Sequence, residues 1–281
     1  MLKDALVNVG KESEFEQRAP AIWRCALIRT SSRPVDMVFS IMGLFGVTLD
    51  TRKFGENDRL SATIALMQAM LSRGRQASWL GVAPYLPVHP CLSTFPTFPR
   101  TSVQGQVIFE SDVLETGSKE VEKRRRAILD TRRIFLPTGR MDDAGYLNIS
   151  RKALQIYPQA HTEGLPVNRN LDKDLGLIYD GHLPQLGDGV SLKALDGTIW
   201  KAFDEDSGQL PKAFAVLVGI YNHFSNGLWE GPRHIGALLV VEHAPRKFHV
   251  ESSFELDDKL EPWILQWNEH ELQIGGPFQS E

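Results

Sequence analysis

Residues 235–256, "IGALLVVEHAPRKFHVESSFEL", decide the fold class. Two apolar-rich arms flank Ala244-Pro245, a dipeptide that no regular helix or central strand absorbs. In the second arm every other residue is apolar except Ser252. Phe248, Val250, Phe254 and Leu256 fall on one face, and Lys247, His249, Glu251, Ser253 and Glu255 on the other. A period of two predicts a half-buried antiparallel strand folded back on its neighbour.

The same pattern spreads outward from this hairpin. "AFAVLVGIY" (213–221) reads as a buried strand, and "LKALDGTIW" (192–200) carries Asp196-Gly197 between apolar arms, a strong hairpin cue. "RRIFLP", "TGRMDDAG" and "YLNISRKAL" predict a further hairpin over 132–154. "SVQGQVIFES" and "VLETG" read as extended. After the strands, Leu260, Trp263, Ile264 and Trp267 fit a short helix with Pro262 in its first turn.

The first part is helical instead. One helix through Ile22, Trp23, Ala26 and Leu27 has Pro20 in its first turn, and a second spans Pro34 to Phe45, with Gly46 as a left-handed stop. A third begins at Asn57 or Asp58, follows helical spacing through Leu60, Ile64, Met67, Met70 and Leu71, and ends at Gly74. "ASWLGV" (77–82) reads as a short strand. Residues 82–100 hold five of the sixteen prolines together with Tyr85, Phe95 and Phe98, which predicts an extended segment docked on the surface. The fold class is therefore α+β: a helical N-terminal part followed by a mainly antiparallel β C-terminal part. The expected organisation is a helical segment (1–81), a proline-rich docked connector (82–104) and a β-rich domain (105–281).

The 281 residues suffice for a sizeable core, and 42% apolar with 23% charged residues is ordinary globular composition. A net charge of −4 argues against a nucleic-acid binder. No apolar run is long enough to cross a bilayer as a helix, and the N-terminus has no signal-like apolar core, so no membrane partner is expected. Two cysteines, Cys25 and Cys91, are too few for a disulfide framework, which together predicts a reduced, cytoplasmic setting. Nothing in the sequence sets an oligomeric state.

The second helix raises its own question. In "SSRPVDMVFSIMGLFG" (31–46) Pro34 takes the first helical position and leaves Arg33 at the cap. Asp36 then stands where its carboxylate can serve the free N–H groups of the first turn, leaving the Arg33 side chain for another partner. Two apolar stripes, Val35-Val38-Phe39-Met42-Phe45 and Met37-Ile41-Leu44, predict burial on most sides. Between them runs Asp36, Ser40 and Gly43. A glycine inside a helix costs about 1 kcal/mol, which predicts close approach of another backbone along that stripe.

"RTSSRPVDMVFSIMGLFGV" resembles a block of the fungal heterokaryon-incompatibility (HET) domain: a Thr/Ser-rich lead, Arg, Asp, then an aromatic-Ser-hydrophobic-Gly-Phe run. Arg33, Asp36, Phe39, Ser40, Gly43 and Phe45 match it. Downstream, "KFGENDRLSATIALMQAMLSRGRQASWLG" is similar to the family's Tyr-Gly-Glu-Gly segment, amphipathic helix and Trp-containing strand, with Phe54-Gly55-Glu56-Asn57 at its start. The likeness covers residues 17–81. The family's early blocks are absent, so the resemblance implies a truncated or degenerate member, and the β-rich remainder looks like the extension on some mushroom-type members. What it implies is self/non-self recognition and cell-death signalling through a protein partner, with no cofactor. A likeness of the family to the TIR fold adds an alternative, NAD cleavage; a non-enzymatic β-rich binding module, with Trp200, Trp229, Trp263 or Trp267 as anchors, is another.

Other chemistry has little support in the residues. His234, Glu242, His243 and His249 share a hairpin region but not the spacing of a zinc motif, and the alternation puts His249 on a solvated face. No Gly-x-Ser-x-Gly occurs, neither cysteine has a basic setting, and "GHLPQLGDG" (181–189) lacks the Gly-Lys-Ser/Thr of a phosphate loop. "EKRRRAILDTRR" (122–133) reads as a solvated face or a charged strand edge. No metal is expected. Arg33, Asp36 and Glu56 form the best constellation, more readily an ion network than a catalytic site, and no catalytic residue is assigned.

Overall fold

The computed structural model describes residues 12–28, 31–83, 86–98, 100–101, 107–108, 131–134, 136–159, 177–178, 190–202, 212–225 and 228–277. Tyr85, residues 102–106 and 109–130 (hence "VLETG", most of "SVQGQVIFES" and most of the basic run) and the stretch 181–189 lie outside them. In chain order the elements are α1 (Glu12–Ile28), α2 (Asp36–Met42), α3 (Arg59–Leu71), β1 (Val88–His89), β2 (Leu92–Pro96), β3 (Arg100–Thr101), β4 (Val107–Ile108), β5 (Thr131–Ile134), β6 (Arg140–Met141), β7 (Tyr146–Pro158), β8 (Leu177–Ile178), β9 (Ser191–Lys193), β10 (Ile199–Ala202), β11 (Ala213–Ser225), β12 (Leu228–Ala244), β13 (Lys247–Asp257), α4 (Glu261–Ile264) and β14 (Asn268–Gly275). Helices come first and mainly antiparallel strands after, so the class is α+β. Among the described residues no helix is long and apolar enough to cross a membrane.

The strands do more than form a sheet. β11 pairs with β12, β12 with β13, β13 with β14, β14 with β7, and β7 again with β11, which closes a ring of five strands. Closure removes the open edges a flat sheet would leave. The one parallel junction, β13 to β14, spans two residue pairs, Lys247↔Gln273 and Phe248↔Ile274. Beyond it Leu260, Trp263, Ile264 and Trp267, all buried, come from the 3₁₀ turn, α4 and the bend after it that connect the two strands. Pro262 sits at the start of α4 as expected. β10, β9 and β8 extend from β7, and the Asp196-Gly197 turn joins β9 to β10 as the sequence indicated. Gly197 has φ +90°, and the Asp196 carboxylate accepts from both the backbone N–H and the hydroxyl of Thr198.

Alternate residues feed two cores. On β11, Phe214, Val216 and Val218 join one, and Ala213 and Ala215 the other. The first core is continuous with α1, α2 and α3: Trp23, Phe45, Met67, Met70 and Trp79 pack in the same cluster as Leu147, Phe248 and Ile274. The helices therefore close one side of the ring, and the proline-rich stretch seals the joint between them. There β1 and β2 form a small hairpin whose Leu92 and Phe95 are buried and whose Ser93 hydroxyl accepts from the Val250 N–H at 3.0 Å. Trp23 stands at its centre, 4.9 Å from Phe45, 5.5 Å from Phe95 and 6.0 Å from Trp79 between ring centroids. Its indole N–H donates to Ser78 Oγ at 3.1 Å, so the one polar atom of a buried ring is satisfied.

Several local expectations change. β13 is buried on both faces, not half-buried. A bulge leaves Glu251 without a partner: Val250 pairs with Val240, but the next pair is Ser252 with Leu239. The extra residue inverts the alternation, so Phe248 and Val250 join the first core while Phe254 and Leu256 join the second. His249 and Glu255 are accordingly buried, not solvated. α1 begins at Glu12 and holds Pro20 in its interior. The proline removes one helical hydrogen bond, and burial of Ala19, Ile22, Trp23, Ala26 and Leu27 holds the helix together. Residues 77–82 turn instead of forming a strand, since Gly81 and Ala83 take positive φ. β5 pairs with β11, and the partner of β7 in the predicted hairpin is β6.

Candidate functional site

The HET-like residues meet at one corner of the helical layer. Its first half is the lead into α2. Ser31 Oγ accepts the Arg33 N–H at 3.2 Å, and the Arg33 carbonyl accepts from the Asp36 N–H at 3.0 Å. Pro34 and Val35 thus make a tight turn before the regular helix begins at Asp36, two residues later than expected. The helix ends in a 3₁₀ turn over Gly43–Phe45 and stops at Gly46, whose φ of +66° is the left-handed conformation expected there. The Arg73 guanidinium donates to the Gly46 carbonyl and ties this stop to the end of α3.

The second half is the loop 54–58. Its Asp58 carboxylate folds back to accept the Gly55 N–H at 2.8 Å instead of capping α3. The loop then meets the first half through the backbone: the Val35 N–H donates to the Glu56 carbonyl at 3.1 Å. Val35 is fully buried, so this amide had to find a protein partner. Phe39 and Phe54 lie edge to face at 6.0 Å across the same joint.

Charge at the corner is arranged loosely. Arg33 Nε and Asp36 Oδ2 are 4.0 Å apart, with the two side chains 57% and 45% exposed. Such a pair is worth well under about 1 kcal/mol. Asp36 accepts no backbone hydrogen bond among the described residues, so it does not cap the helix as the sequence suggested; its charge still favours the positive end of α2. Both apolar stripes are in place: Val35, Met37, Val38, Ile41 and Phe45 are buried, with Phe39, Met42 and Leu44 packed against them. The stripe between faces solvent. Ser40 is exposed and donates to the Met37 carbonyl at 2.9 Å, and a Cβ on Gly43 would meet no atom within 4 Å. The close backbone approach expected there does not occur.

Sequence reasoning missed the neighbouring arginine. Arg59, the first residue of α3, stacks over the Phe98 ring at 3.7 Å and directs Nη1 to Met37 Sδ at 3.4 Å. Burial lowers its pKa. It also acts on His89, whose ring lies 5.8 Å from Phe98 and whose pKa falls through burial first and the Arg59 charge second. This stack pins the proline-rich hairpin to α2 and α3. No local signal marks it, because Phe98 reaches Arg59 only through the fold.

Elsewhere, His243 and His249 come together 6.2 Å apart, but among the described residues no three His, Cys, Asp or Glu side chains gather as a metal site needs. Cys25 is buried and Cys91 exposed. Of the candidate anchors, Trp263 and Trp267 are core residues and Trp200 is half-buried, its N–H held by Thr198. The side chain of Trp229 lies outside the description. An open concavity of about 260 Å³, lined by Thr138, Asn148, Ser150, Arg246, Glu271 and Gln273 among others, shares no residue with the corner. Comparison of the chain with known protein families, with characterised proteins and with solved structures found no match.

Proposed function

We propose that the chain is a HET-like protein of fungal self/non-self recognition and cell-death signalling, acting in the cytoplasm through contact with a protein partner and without a cofactor. The observation that carries this reading is the joint between the two matched segments. The Arg33–Asp36 lead and the Phe54–Glu56 loop are separate in sequence, yet they dock through the Val35 N–H and the Glu56 carbonyl. That docking leaves Arg33, Asp36, Ser40 and Gly43 as a solvent-facing strip on a rigid base. A solvent-facing strip suits contact with a partner better than it suits catalysis, which needs enclosure.

Expression of the full chain in a fungal host tests the reading. Wild type is expected to arrest growth or kill hyphae in a competent partner background. Gly43→Leu fills open solvent and leaves the fold intact; it is expected to remove the effect, as is Arg33→Ala. A wild-type chain without effect in every background, or both variants acting as wild type, refutes the proposal. Release of nicotinamide from NAD by the purified wild type would support the enzymatic alternative in its place.

A further inference from the structure

Four side chains converge where the five-stranded ring closes. The junction of β13 and β14 is two residue pairs long, and the next residue along β14, Gly275, already pairs with Tyr146 of β7. The chain then runs against the Tyr146 ring, so closely that a Cβ on Gly276 would collide with it. Tyr146 Oη donates to the Pro277 carbonyl at 3.2 Å. Its single proton is spent there, so the 3.3 Å contact with His243 is a donation from Nε2–H to Oη. The His243 ring stacks on Tyr146 with centroids 5.9 Å apart and planes 12° apart. His249, 7% exposed, stands on the other side of His243. Lys247 of the junction holds its ammonium 4.5 Å over the Tyr146 ring.

We propose that this corner is an acid-operated seam: protonation of His243 and His249 on acidification parts the β13–β14 junction and frees residues 275–277 from Tyr146, while the rest of the ring stays closed. The physical reason is an accumulation of like charge around the buried His249, beside the half-buried His243 and Lys247. Lys247 is already there, and each imidazolium adds another positive group beside it. Burial, then the charges of Lys247 and His243 respectively, already lower the pKa of His243 and of His249. The charged groups of the surrounding elements make their own contacts, two of them to backbone amides. Glu242, on the strand of His243, accepts the Arg246 N–H; Arg246 also faces Glu271 of β14 at 3.9 Å; and the Asp142 carboxylate, ahead of β7, accepts the Tyr146 N–H. The seam yields first because it rests on two pairs, whereas β11 and β12 form a long ladder. This device is independent of the recognition reading above.

Amide hydrogen exchange on the full chain tests it, compared at about pH 7.5 and about pH 5.5 after correction for intrinsic rates. Protection at residues 247–248 and 273–277 is expected to fall by about tenfold or more at the lower pH, with 148–153 of the β7–β14 ladder and 213–217 unchanged. Replacing His243→Gln and His249→Gln together is expected to abolish that local loss. Equal protection at both pH values, loss spread evenly over all strands, or persistence of the local loss in the double variant overturns the proposal. If the double variant does not fold, His243→Gln alone is compared in the same exchange experiment: a smaller local loss than in wild type supports the proposal, and an undiminished loss overturns it.

Discussion

Replacing Gly43 with alanine is expected to stabilise the protein by about 0.4–1 kcal/mol. The residue has φ −64° and ψ −31°, a right-handed conformation that alanine adopts without strain. The added methyl meets nothing within 4 Å, so there is no packing penalty. What remains is the smaller entropy of the unfolded chain and the usual helical preference for alanine, about 1 kcal/mol in a helix interior. Gly43 lies where α2 passes into a 3₁₀ turn, which argues for the lower half of the range. At a urea m-value of about 2–3 kcal/mol/M the midpoint should rise by roughly 0.1–0.5 M with an unchanged slope. Gly46→Ala provides the internal contrast. At φ +66° a methyl is strained, and the same assay should show a loss of about 1 kcal/mol. A lowered midpoint for Gly43→Ala would refute the reasoning, since it would mean that something packs on the Ser40–Gly43 strip in solution.

Arg33→Ala is expected to change the urea midpoint by less than the equivalent of about 0.5 kcal/mol, because its side chain is more than half exposed and its ion pair is long; a larger loss would show a partner that this geometry lacks. Trp23→Ala should cost about 3–5 kcal/mol by the same denaturation assay, as it empties the centre of the aromatic cluster. Phe98→Leu should cost about 0.5–2 kcal/mol through loss of the Arg59 stack and should raise the exchange rate of the β1–β2 hairpin amides. Stability should also fall with acid. His89, His243 and His249 have folded pKa values below the ordinary 6.5, so the unfolded chain takes up protons first. The contribution is complete above about pH 6.5 and is lost as pH drops toward the folded values, visible as a falling melting temperature.

The hairpins at Asp196-Gly197 and Ala244-Pro245, the stop at Gly46 and the start of α4 at Pro262 were legible because each rests on the local preference of one or two residues. Both apolar stripes of α2 were legible for the same reason; the proline-rich stretch, expected as an extended surface segment, instead forms the β1–β2 hairpin and buries every residue of β2. The inverted face of β13 was not. Glu251 is an ordinary strand residue, and only its lack of a partner on β12 makes it a bulge. "ASWLGV" misled because buried turns and buried strands are equally apolar; Trp79 is fully buried in either case, and the backbone sign at Gly81 and Ala83 decides. At the corner, sequence could bring Arg33 and Asp36 together, since three residues separate them. It could not bring Glu56 to Val35, because that contact is made by backbone atoms that every residue carries. The openness at Gly43 was misjudged by treating a glycine as evidence of a neighbour.

The order in which the ring is joined also bears on how the chain acquires its shape. β11, β12 and β13 follow one another with two residues between each and can zip locally. β7 comes long before them and β14 after them, yet Ala153 pairs with Val216 on one side and Asn268 on the other. The sheet therefore cannot become a cylinder until β14 has been made. Contacts between such distant segments are slow to find. An early hairpin stack with exposed apolar edges must persist meanwhile, and the helices made first are available to cover it.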